Sequence, residues 1–211
     1  MKSSISSFFL KKSKLIILFL ISISFFGYSV KSEELSIQTV NKLQEMLLEI
    51  SAKEETVSFD KTIQSIANFY DTRKMIRMII GEEWKKISES KKDEITLLFT
   101  KYIAQNYIKQ FSKFDSIKFN PKGTKKIGEK YILVKSVLII NKKDKIKINY
   151  LLINNKGWRI FDVLIDGTVS EISTKKSEFS KYLQNGGIDL LIKELKKNET
   201  SLSLEISHLT H

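Results

Sequence analysis

Few side chains in this sequence could do covalent or proton-transfer chemistry, and their positions narrow the options further. His208 and His211 are the only histidines, and both stand within the last four residues. A catalytic imidazole needs its ring held by packing and by a partner on the second nitrogen. A chain terminus offers neither, so both are expected to be solvated. The chain has no cysteine, which excludes thiol nucleophiles, Cys-ligated zinc and disulfide staples. No P-loop, Gly-x-Ser-x-Gly or His-Glu-x-x-His string is present. That leaves Asp162 and Asp166, four apart in an apolar run, which on a strand would put both on one face. Asp162 could act as the general base of a small-molecule enzyme. Alternatively it accepts a bond from Arg159 or a backbone amide, while Asp166 closes the strand before Gly167. No histidine, second acid or metal cluster accompanies the pair, so the structural alternative is favoured. No catalytic residue, cofactor or metal is expected. Trp158, Phe99, Tyr102, Phe119 and Tyr150 could line a ligand cavity or fill a core.

Hydrophobic periodicity predicts the elements that would position these residues. Ile37, Val40, Leu43, Leu47 and Ile50 give a helix over 34–51. Phe59, Ile63, Ile66 and Phe69 give a second. Asp71 is a good N-cap for a third, which Gly81 can end. One further turn is expected at Trp84 to Ile87. Ser90-Lys91-Lys92-Asp93 has the form of a capping box for a long helix to about Phe111. The period then becomes two. Strands are expected at Ser116 to Asn120 (closed by Pro121), Tyr131 to Ile140, about Ile146 to Leu152, and Trp158 to Ile165. The turns between them are short, so the strands are antiparallel. Ile172, Phe179, Tyr182 and Leu183 return to helical spacing. Asn185-Gly186-Gly187 ends that helix, and Ile188 to Leu195 begins the last. The expected fold class is α+β: a curved antiparallel sheet of about four strands wrapped by N- and C-terminal helices.

Residues 1–32 read as a signal peptide. Lys2, Lys11, Lys12 and Lys14 precede an apolar run from Leu15 to Phe26, and small residues follow at Gly27, Ser29 and Ser32. The run is shorter than the ~20 residues a membrane span needs. The exported protein is expected to begin near Glu33, with one domain over 33–198 and a tail over 199–211. The formal charge of the whole chain is +12. Five lysines and no acid leave with residues 1–32, so +7 remains. Export argues against a nucleic-acid partner. Lys142, Lys143, Lys145 and Lys147 are expected on a solvated strand face, with attraction to anionic membranes as a weaker reading.

The C-terminal third resembles a known family. The run Gly157-Trp158-Arg159-Ile160-Phe161-Asp162-Val163-Leu164-Ile165-Asp166-Gly167, with Ser170 after it, is similar to a stretch shared by the MlaC-type, or toluene-tolerance, phospholipid-binding proteins. So are the helix from Ile172 to Phe179 and the start Gly187-Ile188-Asp189-Leu190-Leu191. Upstream, Tyr70-Asp71, Gly81, Trp84-Lys85 and Phe99 fall where that family has comparable residues. One extra residue, most simply Thr168, separates Gly167 from Ser170. The resemblance implies an NTF2-like sheet wrapped by helices around an acyl-chain cavity. It also implies a periplasmic carrier of phospholipid between an outer-membrane lipoprotein complex and an inner-membrane MCE-domain ABC transporter complex. A monomer is expected. Strand alternation then nominates the lining: Val134 and Leu138, Ile148, Tyr150 and Leu152, Trp158, Ile160 and Leu164 from the sheet, and Phe99 and Tyr102 from the long helix.

Overall fold

A computed structural model of the chain describes residues 33–54 and 57–209. The signal segment expected over residues 1–32 lies outside the described residues.

Helix α1 spans 33–52. Its apolar stripe of Val40, Leu43, Leu47 and Ile50 is buried. Helix α2 (Phe59–Phe69) starts at Ser58, whose hydroxyl accepts from the Lys61 amide. Helix α3 (Thr72–Ile80) starts at Asp71, whose carboxylate accepts from the Lys74 amide, and ends at Gly81 with φ 62°. The single turn α4 (Glu83–Lys86) leads to the long α5 (Glu89–Phe111). The N-cap of α5 is Ser88, not the expected Ser90: the Ser88 hydroxyl accepts from Lys91 N. Ser88 has extended backbone, and Glu89 behind it sits in the first turn, where a negative charge meets the positive helix end.

Five antiparallel strands follow in the order β1 (Ile117–Ile127), β2 (Tyr131–Ile140), β3 (Asp144–Asn154), β4 (Trp158–Ile165) and β5 (Val169–Ser170). β1 does not stop at Pro121. It is an edge strand, where a residue without an N–H is tolerated, and it continues through a bulge between Pro121 and Thr124. β5 has only two residues, which is how the expected four strands become five. Helix α6 (Glu171–Leu209) is broken at Gly187, with φ 64° and ψ −155°.

In β2 burial alternates strictly, and Ile132, Val134, Ser136, Leu138 and Ile140 form one buried row. Their partners Leu152, Tyr150, Ile148 and Ile146 continue that inner face into β3. Between β3 and β4 the register slips: Leu151 pairs with Asp162, but Leu152 pairs with Ile160. Phe161 is therefore an extra residue, and the bulge reverses the parity of everything after it. Ile160, Val163 and Ile165 lie inward; Asp162 and Leu164 lie outward. This corrects the assignment of Leu164, which pairs with Asn149 and shares its outer face.

Helix α1 lies across the inner face. Thr39 Oγ1 donates to the Trp158 carbonyl at 3.3 Å, and Gln44 Nε2 donates to the Tyr150 hydroxyl at 3.4 Å. The far edge of β4 is covered at both ends. Asp71 N donates to the Ile160 carbonyl at 2.8 Å at one end, and β5 pairs at the other. Among the described residues no helix is long and apolar enough to cross a membrane.

A cavity between three helices and the sheet

The long helix presents a stripe of Phe99, Tyr102, Ile103, Asn106, Tyr107 and Gln110, spaced by three and four residues along about 16 Å of axis. This stripe forms one wall of a cavity. Met75 and Ile79 of α3 and Tyr70 before it form the second wall. Glu171, Ile172 and Lys175 of α6 form the third, and Val163 of β4 closes the floor. The space is narrow: a water-sized sphere has about 40 Å³ to move in, well below the ~300–1,000 Å³ usual for ligand sites.

Several of the polar atoms are engaged with one another. Buried Tyr70 and half-buried Tyr107 share a hydroxyl–hydroxyl bond of 2.5 Å. Burial raises both their pKa values well above the ordinary tyrosine range. Burial likewise pushes Tyr150 up to about 12. These three phenols are neutral at physiological pH and act as dipoles, not bases. At the rim, Lys175 Nζ donates to the Tyr102 hydroxyl at 2.8 Å and to Glu178 at 2.7 Å, while Tyr102 donates to Glu178 at 2.8 Å. Burial raises the carboxyl of Glu171, with neighbouring Lys175 only partly offsetting it. Among the described residues no cluster of His, Cys, Asp or Glu could hold a metal ion.

Asp162 lies outside this lining. Its Oδ1 accepts from Val163 N at 2.9 Å and Ile172 N at 3.2 Å, and its Oδ2 accepts from the Ser170 hydroxyl at 2.6 Å. Ser170 in turn caps α6 by accepting from Ser173 N. Both carboxylate oxygens are thus occupied in pinning β4 to the start of α6. A general base needs a free lone pair facing its substrate, and Asp162 has neither the exposure nor the direction. Arg159, the donor suggested by sequence, instead donates to the Ala67 carbonyl.

The residues nominated from sequence separate into groups. Phe99 and Tyr102 line the cavity, stacked on each other with ring centroids 6.2 Å apart and met edge-on by Phe179. Val134 lines a shallow crevice against Ile37 and Val40 of α1. Leu138, Ile148, Tyr150, Leu152 and Ile160 are buried in the core beneath α1. Trp158 is half-buried at the end of that face, and Leu164 is on the other side of the sheet. The sheet supplies Val163 to the cavity instead. The α5 stripe could have been followed past Ile103 to Tyr107 and Gln110 by spacing alone. Val163 could not, because the bulge at Phe161 has no signature in the sequence.

A narrow cavity of mixed apolar and polar lining thus lies between wrapping helices and an antiparallel sheet in an α+β fold. The chain belongs to the MlaC protein family, which it matches over residues 37–197. Among solved structures, it is similar to a phospholipid-binding protein from Ralstonia solanacearum, determined in complex with a phospholipid. That similarity has 16% identity, a TM-score of 0.66, and covers 80% of this chain and 98% of the other.

Proposed function

We propose that the protein is a periplasmic phospholipid carrier. The observation that carries this reading is the cavity between α3, α5, α6 and Val163, with Met75, Ile79, Phe99, Ile103 and Ile172 in its lining, in a chain of the MlaC family. The phospholipid held by the Ralstonia protein of the same fold supports it. Acyl chains enter as the buried Met75, Ile79, Phe99 and Ile172, with Ile103, move apart to widen the narrow space between them, and the headgroup stays at the rim beside Glu171 and Lys175.

The energetics require no catalysis. Each CH₂ exposed to water costs about 0.8 kcal/mol, so two chains of about 16 carbons cost on the order of 25 kcal/mol. A protein that hides them removes most of that barrier and is close to balanced against a bilayer, which hides the same surface. Direction therefore comes from docking partners, here an outer-membrane lipoprotein complex and an inner-membrane MCE-domain ABC transporter complex. The exported chain begins near Glu33 and works as a monomer.

Transfer between vesicles tests the proposal. Donor vesicles carrying a fluorescent phospholipid are separated from acceptors by a membrane that passes the protein and not the vesicles. The carrier reading predicts acceptor fluorescence proportional to protein, and its loss in Ile103→Glu protein that remains folded. Transfer no faster than with buffer would contradict it.

A further inference from the structure

The outer face of the sheet carries a charge distribution that the cavity does not require. Between Ile117 and Asn149 the sequence has ten lysines, two acids and no arginine, a net +8. The region beyond residue 32 sums to +7, so this three-strand meander holds its entire positive excess. Register places Lys118 beside Ile139, Lys145 on the other side of Ile139, Lys147 beside Val137 and Lys135 beside Asn149. All lie on the face opposite Val134, Ile148 and Tyr150. Among the described residues none of these four forms an ion pair; the ion pairs of the helices involve Arg73, Lys85, Lys86 and other helical residues. Between the lysines, Leu133, Val137, Ile139 and Leu164 are half-buried within the sheet and stand apart from the hydrophobic core. The hairpin tip adds Lys125, Lys130 and an exposed Ile127.

We propose that this outer sheet face is a docking surface for anionic phospholipid bilayers, used to bring the protein to a membrane independently of what its cavity holds. The residue types favour a bilayer over an acidic protein. Protein interfaces are enriched in arginine, which forms fixed bidentate pairs, and depleted in lysine. A laterally fluid layer of phosphates asks only for point charges on flexible stems that can reach past an apolar strip into the headgroup zone, which lysine supplies. Attraction of this kind is diffuse and falls within a Debye length of about 8 Å at physiological salt.

The test is co-sedimentation of the purified protein with vesicles of phosphatidylcholine alone or of phosphatidylcholine with phosphatidylglycerol added to give a negative surface potential. Binding is expected with the anionic vesicles, and loss of it at high salt. Each lysine near such a surface contributes about fivefold, so Lys118→Gln/Lys135→Gln/Lys147→Gln protein should bind about a hundredfold more weakly. Phospholipid co-purified in the cavity, measured on the same triple variant, should be unchanged. That readout separates this inference from the carrier reading, on which it does not depend. Equal binding to neutral and anionic vesicles, or undiminished binding by the folded triple variant, would overturn it. So would a variant that keeps vesicle binding while losing capture by an acidic protein partner.

Discussion

Asp162 shows how an acid in an apolar strand can be held by its hydrogen bonds. It is 7% exposed and accepts three hydrogen bonds, and it lies at the positive end of α6, where a carboxylate is favoured. Asp162→Asn keeps the shape but gives up charge-assisted bonds, so stability should fall by about 1.5–3 kcal/mol in urea titration while bound lipid is retained. Glu171 makes the opposite contribution. Burial raises its folded pKa above the ordinary value of 4.5, against a smaller pull from Lys175. The folded state then binds this proton more tightly than the unfolded state. The associated stability is complete below about pH 4 and is lost as pH rises through the folded pKa. At pH 7 the buried charge is a net cost. Glu171→Gln should therefore raise the melting temperature at pH 7, and the gap to wild type should close as pH is lowered toward 4. A gap independent of pH would remove the ionisation argument.

At the scale of elements, the bulge at Phe161 decides which side chains face inward. Leu152 is fully buried on the inner face, whereas Leu164 pairs with Asn149 on the outer one. Leu152→Glu places an unpaired carboxylate in the core and should destabilise strongly, with loss of lipid. Leu164→Glu should cost about 1 kcal/mol or less and leave lipid in place, as thermal melts and lipid extraction on both variants would show. Gly187 breaks α6 with a φ of 64° and a ψ of −155° that residues with a side chain rarely adopt. No atom lies within 4 Å of an added Cβ, so Gly187→Ala tests backbone strain alone and should cost about 1–3 kcal/mol by the same melts. The sequence made most of this architecture readable, because its apolar residues hold period well: Tyr131 to Ile140 and Trp158 to Ile165 appear with the expected bounds. What escaped it shares one physical cause. Bulges at Pro121 and Phe161 arise where neighbouring strands must accommodate each other, and an N-cap at Ser88 or Ser90 is chosen by tertiary context. Such choices are long-range and leave little local trace. The cavity suffered accordingly: the α5 stripe was legible, but the parity that exchanges Leu164 for Val163 was not.

For the whole molecule, a helix-wrapped sheet of the MlaC family carries two features the proposals rest on: a cavity on the helical side and a lysine-rich sheet face. The cavity carries the central claim, that acyl chains sit between α3, α5, α6 and Val163. Native mass spectrometry of the protein purified without detergent, before and after organic extraction, examines it most directly. The prediction is a mass above that of the polypeptide by one phospholipid, removed by extraction and absent from folded Ile103→Glu protein. A mass equal to the bare polypeptide in wild type, with no phospholipid in the extract, would contradict it.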